Sequence, residues 1–162
     1  MGEFNQFLQE GKAYLKPFPG AKAKQLNHHA TVVLAQHQYD SAIIHVGIND
    51  LLNGSSIKQI SKDVIEIAQQ CRNRSIGKVF VSGIVYCTKV RYETIQNLNK
   101  SLYEECRKYG FCFIDNGEVS EKDLWKDGIH LIESGRVIVA NNLINYLNNF
   151  LRPMNHPIWG QI

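Results

Sequence analysis

The stretch SAIIHVGINDLLNG, residues 41–54, contains the signals that decide the fold. Its first six residues form a nearly continuous apolar run, which is typical of a strand covered on both faces of a sheet. The run then changes abruptly to glycine and polar side chains. A buried strand that ends in a polar loop is therefore the first prediction.

Three further runs resemble strands: AYLKPF at residues 13–18, KVFVSGIV at residues 78–85 and FCFID at residues 111–115. Between them lie stretches with apolar residues at helical spacing. The four predicted apolar faces are Ala23, Leu26, Ala30, Val33 and Leu34; Ile57, Ile60, Val64, Ile67 and Cys71; Ile95, Leu98, Leu102, Cys106 and Tyr109; and Val137, Ala140, Ile144, Leu147 and Leu151.

The helix ends also carry sequence signals. Ser56 and Ser134 are predicted N-caps, and Gly110 stands where a helix C-terminus favours glycine. The alternation of strands and helices predicts an α/β fold, with a doubly wound parallel sheet in the middle of three layers. In such folds functional groups collect at the carboxyl ends of the strands.

Polar and glycine residues follow the predicted strands at that edge. Gly47 lets the backbone turn sharply as the strand ends, and Asn49 projects an amide that can donate to a developing oxyanion. Gly20, just before a helix, can offer a backbone N–H in the same role. Each of these has a plainer interpretation as a turn or helix-cap residue.

Asp127 and His130 lie three residues apart in KDGIHLIESGR, ahead of the last helix. A histidine that acts as a general base is commonly oriented by a carboxylate on its far nitrogen, and this spacing lets one loop present both groups. Alternatively, Asp127 is a turn residue and His130 an ordinary surface histidine.

The composition of the chain excludes some classes of partner and indicates the number of domains. The chain has 162 residues and a net charge of +3, too small to indicate a nucleic-acid partner. We predict one domain at residues 1–151 and a C-terminal extension at residues 152–162. No apolar run approaches a membrane span, no signal peptide is evident, and the four cysteines are interpreted as reduced core residues, with structural disulfides or a zinc site as the minor alternative. A reducing compartment is expected, so the location is taken as cytoplasmic or left open, and no metal or cofactor is expected.

Together, the segments PFPGAKAKQL, IIHVGINDLL, VFVSGIVY and LWKDGIHLIESGRVIVANNLINYL resemble the SGNH (GDSL-type) hydrolases, especially small esterase-type domains of invertebrate and retroelement-associated genes. The resemblance spans residues 4–147. It implies a flavodoxin-like three-layer fold that hydrolyses carboxylic esters without a cofactor. Gly20 and Asn49 correspond to the oxyanion donors, with Gly47 beside them, and Asp127 and His130 to the acid and base.

The family's nucleophile lies in a Gly-Asp-Ser motif on its first strand, and no such motif occurs in this chain. We therefore expect a truncated domain that lacks its first, central strand and is inactive as it stands. Ser82, Ser55, Ser56 and Ser134 are interpreted as core, loop or cap residues, and a Cys87–His pair has no support from spacing.

Two other functions remain open. A pseudoenzyme of this fold would bind an acyl or ester ligand, or interact with another chain, without cleaving anything. A nucleotide-binding doubly wound domain is the third alternative, but no glycine-rich phosphate loop follows any predicted strand. The expected partner is therefore a small ester or acylated molecule, and no nucleic acid is predicted.

Overall fold

The computed structural model describes residues 14–151, so the extension predicted at residues 152–162 lies outside the described part. Strands and helices alternate along the chain, as the apolar patterns predict. In chain order the elements are α1 (Ala23–Gln36), β1 (Ser41–Ile44), α2 (Ile48–Leu52), α3 (Ile57–Asn73), β2 (Lys78–Ser82), α4 (Tyr92–Tyr109), β3 (Cys112–Ile114), a 3₁₀ turn (Glu121–Asp123) and α5 (Glu133–Leu151).

The three strands form one parallel sheet in the order β1-β2-β3. Ile44 pairs with Val81 and Ser82 pairs with Ile114, so the strands end almost level with one another. A parallel sheet flanked by helices confirms the α/β prediction. The level ends place the loops that follow β1, β2 and β3 along a single edge of the sheet, which we call the carboxyl edge.

The strand predicted at residues 13–18 is not formed in its described part, because residues 14–18 lie outside the sheet. Among the described strands, β1 has a neighbour on one side only. An extended segment becomes a strand only when a partner pairs with its backbone groups, and residues 14–18 have no such partner here. The other predicted strands are also shorter than expected, since β1 ends at Ile44, β2 at Ser82 and β3 at Ile114.

The main core lies between one face of the sheet and helices α1, α3 and α4. Alternating residues of the strands, such as Ile44, Val79 and Val81, face this side. Residues of opposite parity, Phe80 and Ile114, are fully buried on the other side, where α5 packs against β3. Helices on both faces therefore give the predicted three layers.

The helix-end predictions are confirmed at two positions and wrong at a third. The Ser56 hydroxyl accepts a hydrogen bond from the N–H of Gln59, and Gly110 ends α4 in the left-handed conformation with φ +74°. Ser134 lies inside the first turn of α5, where its hydroxyl donates to Asp123 instead of capping the helix. The short helix α2 was not predicted, since its sequence was interpreted as a loop.

All four cysteines are free thiols, and three of them are buried. Burial raises the pKa of Cys71 to about 11 and that of Cys106 to about 12, which keeps both thiols protonated and unreactive near neutral pH. Among the described helices, none combines the length and the apolar character that crossing a bilayer requires.

Candidate active site

The loop between the 3₁₀ turn and α5 pairs Asp127 with His130. One carboxylate oxygen of Asp127 accepts hydrogen bonds from the N–H groups of Ile129 (2.9 Å) and His130 (3.0 Å). The other carboxylate oxygen lies 2.6 Å from Nδ1 of His130. The N–H of Ile129, the imidazole and the N–H of His130 together lower the pKa of Asp127 to about 2.

This geometry determines which imidazole nitrogen is available for chemistry. An ionised carboxylate only accepts hydrogen bonds, so Nδ1 of His130 must carry the proton that it shares with Asp127. In the neutral ring the other nitrogen, Nε2, then has a free lone pair. The side chain of His130 is 76% exposed, so Nε2 is accessible to a reactant.

Backbone hydrogen bonds hold this loop in place. The N–H of Trp125 donates to the carbonyl of His130 (2.8 Å), and the N–H of Gly128 donates to the carbonyl of Trp125 (2.9 Å). Gly128 has φ +72°, and a Cβ there would overlap the hydroxyl of Thr88. Because the N–H of Thr88 donates to the carbonyl of Gly128 (2.9 Å), the loop is attached to the segment that follows β2, at the carboxyl edge.

A buried carboxylate supports the start of the helix behind this loop. Asp123 accepts hydrogen bonds from the hydroxyl of Ser134 (2.6 Å) and from the N–H of Ser120 (3.0 Å), and these donors lower the pKa of its carboxyl group. The N–H of Ile132 donates to the carbonyl of Asp123 (2.9 Å). The loop that carries Asp127 and His130 is therefore fixed at both ends.

Beyond the end of β1, Asn49 contacts the loop that carries Gly20. Asn49 lies in the first turn of α2, and its side-chain nitrogen donates to the carbonyl of Ala21, at 3.3 Å. A primary amide has two N–H donors, so one remains for another acceptor. Gly47 precedes α2 with φ +130°, and a Cβ there would stand 2.7 Å from the Cδ1 of Ile84, so only glycine fits.

Asp50 connects the same two segments. Both of its carboxylate oxygens accept from the N–H of Ala23, at 3.0 and 3.3 Å, at the beginning of α1. Asp50 is 3% exposed. Burial raises the pKa of its carboxyl group, and the nearby Asp63 adds to this, whereas the hydrogen bond from Ala23 opposes it. Asp50 thus joins α2 to the Gly20 loop.

A buried polar network at the carboxyl edge was not found by sequence reasoning. The hydroxyl of Ser82 lies 2.9 Å from Nδ1 of His45 and accepts a hydrogen bond from the side-chain nitrogen of Asn116, also at 2.9 Å. Asn142 on α5 donates to Asn116 in turn. Isolated Ser, His and Asn residues carry no local signal for such a network, because the contacts join residues about 35 positions apart.

An open cavity of about 340 Å³ lies beside the predicted oxyanion loop. Its lining includes Gly20, Ala21 and the side chains of Phe18 and His29, whose rings stack at a centroid distance of 4.6 Å. The cavity places free volume next to the Gly20 backbone. The predicted oxyanion donor Gly20 therefore has open space beside it.

The structure therefore assembles the predicted residues as two pairs, Asn49 with the Gly20 loop and Asp127 with His130. Both pairs belong to segments at the carboxyl edge, with Asn49 in the short helix α2 that follows β1 and Asp127 and His130 in a loop bonded to the segment after β2. Their joint action in one catalytic centre stays a prediction.

The profile of the GDSL-like lipase/acylhydrolase family matches residues 11–136 of the chain. The chain belongs to this family. The match includes the Gly20 loop, Asn49 and the Asp127–His130 loop of this GDSL-like domain. Among curated protein sequences none matches it.

Solved structures share the fold of this GDSL-like chain at low sequence identity. A Bacteroides fragilis protein provisionally assigned as an acylhydrolase has a TM-score of 0.80 and 15% identity, over 93% of this chain and 81% of that one. A carbohydrate esterase of family 3 from Talaromyces cellulolyticus has a TM-score of 0.71 and 18% identity, over 79% and 67%. A catalytic serine-to-alanine mutant of an acetylxylan esterase from Geobacillus stearothermophilus has a TM-score of 0.68 and 14% identity, over 78% and 67%.

Proposed function

We propose that this domain is built for hydrolysis of carboxylic esters by the serine mechanism, and that this chain lacks the attacking serine. His130 is the general base, Asp127 orients it, and Asn49 and Gly20 donate to the oxyanion. The observation that carries the proposal is the 2.6 Å contact between Asp127 and Nδ1 of His130, which leaves Nε2 free on an exposed ring.

In the proposed reaction a serine oxygen attacks the ester carbonyl carbon while Nε2 of His130 takes the serine proton. The carbonyl oxygen becomes an oxyanion, which the Asn49 amide and the Gly20 N–H stabilise by about 3 kcal/mol per donor. The carbon–oxygen bond to the alcohol then breaks, and His130 returns its proton to the departing alkoxide. Water repeats the sequence to release the acid. Asp127 stays ionised throughout, as its pKa of about 2 requires.

Several observations support the absence of a nucleophile. The sequence has no Gly-Asp-Ser motif. Ser82 is buried and hydrogen-bonded, Ser56 caps α3 and Ser134 binds Asp123. Cys87 is 1% exposed. Two of the fold neighbours are catalytic mutants of an acetylxylan esterase, one with a serine and one with a histidine changed to alanine, which supports a serine and a histidine as the reacting pair of such a domain.

The test has an activity arm and a geometry arm. With p-nitrophenyl acetate the chain should show no acyl-enzyme by intact mass spectrometry and no burst of p-nitrophenol. An acetyl adduct, together with turnover that His130→Ala abolishes, would show that this chain contains its own nucleophile.

The geometry arm follows the Asp127 carboxyl by NMR during an acid titration. Its midpoint should be about 2, below the ordinary 3.8, and should rise in His130→Ala without reaching 3.8, because two backbone N–H donors remain. A midpoint at 3.8 in the unaltered chain would remove the basis for assigning His130 as the base.

A second function, binding of an ester without cleavage, follows from the same observations. The predicted oxyanion donor Gly20 lines an open cavity, while the serines discussed above are engaged elsewhere. Such a pocket would hold an ester ligand intact. Stabilisation of the fold by an ester, without product formation, distinguishes this function from hydrolysis.

A further inference from the structure

The loop that carries the predicted base is a short antiparallel hairpin, which we call the base hairpin (residues 123–132). Leu124 and Leu131 form a bridge between its two arms, and Asp127 lies in the tip. The side chains of Asp127 and His130 are 46% and 76% exposed. Packing against neighbours therefore does little to confine either side chain, and the hairpin backbone must fix their relative position.

Two hydrogen bonds flank the bridge and hold the arms together. The N–H of Trp125 donates to the carbonyl of His130 (2.8 Å), and the N–H of Ile132 donates to the carbonyl of Asp123 (2.9 Å). This is the pattern of an antiparallel ladder, in which a shift of one arm displaces the residues paired with it on the other. The position of His130 on one arm therefore depends on how firmly Asp123 is held on the other.

The carboxylate of Asp123 joins the segments that enter and leave the base hairpin. One of its oxygens accepts from the hydroxyl of Ser134 (2.6 Å), in the first turn of α5. The other accepts from the N–H (3.0 Å) and the hydroxyl (3.2 Å) of Ser120, just before the 3₁₀ turn. Asp123 is 1% exposed. Three donors thus compensate a buried charge, and they tie both ends of the hairpin to one side chain.

The start of α5 also packs directly against the base hairpin. A Cβ on Gly135 would stand 2.8 Å from the carbonyl oxygen of Asp123 and 2.9 Å from the Cδ2 of Leu131. Glycine therefore lets the helix approach both arms more closely than a larger residue would. Because so little space is left, a displacement of Asp123 would also displace the helix or the opposite arm.

We propose that Asp123 is a positioning residue for the general base. Its carboxylate holds the two ends of the base hairpin together, and the ladder transmits that restraint to the arm that carries His130. The inference rests on the proposed function and adds a buried residue that acts on the base through the backbone. Such support matters because a catalytic pair works only when it is held within about 0.5 Å of its productive geometry.

A purely structural role is the alternative. Asp123 would then stabilise only the 3₁₀ turn and the first turn of α5, and its removal would leave the contact between Asp127 and His130 unchanged. The place of the carboxylate favours positioning, because its partner Ser120 precedes the hairpin and its partner Ser134 follows it.

The test follows the Asp127–His130 contact by NMR in the full chain, at mildly alkaline pH where the imidazole is neutral. Imidazole nitrogen chemical shifts distinguish a proton on Nδ1 from one on Nε2, and in the unaltered chain His130 should carry its proton on Nδ1. Asp123→Ala should move part of the population to the Nε2–H form, because a displaced arm loosens the contact. Asp123→Asn should stay closer to the unaltered chain, since its oxygen can accept from Ser120 and its amide nitrogen can donate to the Ser134 hydroxyl.

Two further variants separate positioning from a general effect on stability. Asp63→Ala removes another buried carboxylate, 8% exposed and bonded to Gln59 on α3 at 2.7 Å. Whatever its effect on the free energy of unfolding in urea, it should leave the His130 tautomer unchanged. Ser134→Ala removes only the tie to α5 and should cause a smaller tautomer shift than Asp123→Ala.

An unchanged His130 tautomer in folded Asp123→Ala, or an equal change in Asp63→Ala, would overturn the positioning role. If circular dichroism shows that Asp123→Ala does not fold, Ser134→Ala decides in its place. An unchanged tautomer in that variant would then overturn the role.

Failure of the proposed function gives a different result. If His130 in the unaltered chain has no fixed proton on Nδ1 and the Asp127 titration midpoint is the ordinary 3.8, the base assignment fails and the positioning role fails with it. If the unaltered chain shows the Nδ1 proton and a midpoint of about 2, and folded Asp123→Ala matches it, the base assignment stands and only the role of Asp123 is wrong.

Discussion

At the scale of single residues, Gly128 is the point on which the candidate base depends most directly. Its positive φ permits the tight turn that brings His130 back to Asp127, and its lack of a side chain leaves room for Thr88. The motif Asp-x-x-His predicted the pair from the sequence alone. The tight contact between Gly128 and Thr88 joins residues 40 positions apart, so no local pattern could have predicted it.

Gly128→Ala should therefore destabilise the domain and break the Asp127–His130 contact. The matched control is Gly54→Ala, because Gly54 also has positive φ (+79°) but no atom within 4 Å of an added Cβ. Gly54→Ala should cost about 1–2 kcal/mol of unfolding free energy from backbone strain alone. Gly128→Ala should cost on the order of 1–3 kcal/mol more, because of the overlap with Thr88. Urea unfolding measures both, and equal losses would show that Thr88 moves away without cost.

At the scale of elements, a side chain from a helix forms hydrogen bonds with the backbone just after the end of β2. Asn99 on α4 accepts a hydrogen bond from the N–H of Ile84 (2.7 Å) and donates to its carbonyl (2.9 Å). If β2 continued further, the N–H and the carbonyl of Ile84 would instead form hydrogen bonds with a neighbouring strand. The strand can therefore end at Ser82 while the chain that leads to the candidate site stays fixed.

Asn99→Ala should leave both backbone groups of the buried Ile84 without their partner. The expected loss of unfolding free energy is roughly 2–4 kcal/mol, since each unpaired buried group costs about 1–3 kcal/mol. Asn97→Ala provides the control, because it makes the same change at an exposed position of the same helix and should stay within about 0.5 kcal/mol. Similar values for the two variants would mean that water replaces the amide of Asn99.

The elements show where sequence reasoning succeeds and where it does not. Helices α1, α3, α4 and α5 were predicted because their apolar residues repeat at helical spacing over many turns. The strand at residues 13–18 was wrong in its described part, since strand formation depends on a partner that composition does not reveal. Asn49 was predicted as a loop residue but lies in α2, a helix too short for a periodic signal.

At the scale of the whole molecule, the fold class was predictable because a parallel sheet determines where its loops meet. The candidate groups reach the carboxyl edge from segments more than 100 residues apart, and the sheet order accounts for that. The side-chain contacts that tie these segments together were not predictable. They depend on approach distances between distant segments, as in the hydrogen bonds from Ala23 to Asp50 and from Asn116 to Ser82.

Asp50 should make the stability of the whole domain depend on pH in a direction opposite to Asp127. Burial raises the pKa of Asp50 in the folded state above its ordinary 3.8. Its contribution to stability is therefore complete below 3.8, where the carboxyl is protonated in both states, and is lost as the pH rises through the folded-state pKa. Asp127, with its folded-state pKa lowered to about 2, contributes above 3.8 and loses that contribution as the pH falls toward 2.

Asp50→Asn keeps an oxygen that can accept from the N–H of Ala23 but cannot ionise, so it isolates the cost of the buried charge. The unfolding free energy of this variant, relative to the unaltered chain, should increase as the pH is raised from below 3.8 to neutrality. Urea unfolding at a series of pH values measures the difference, and Asp40→Asn, at an exposed carboxylate, should show no comparable trend. A difference that is flat or decreases with pH would mean that the bond from Ala23 stabilises the carboxylate more than burial disfavours it, and that charge on Asp50 strengthens the link between α2 and the Gly20 loop.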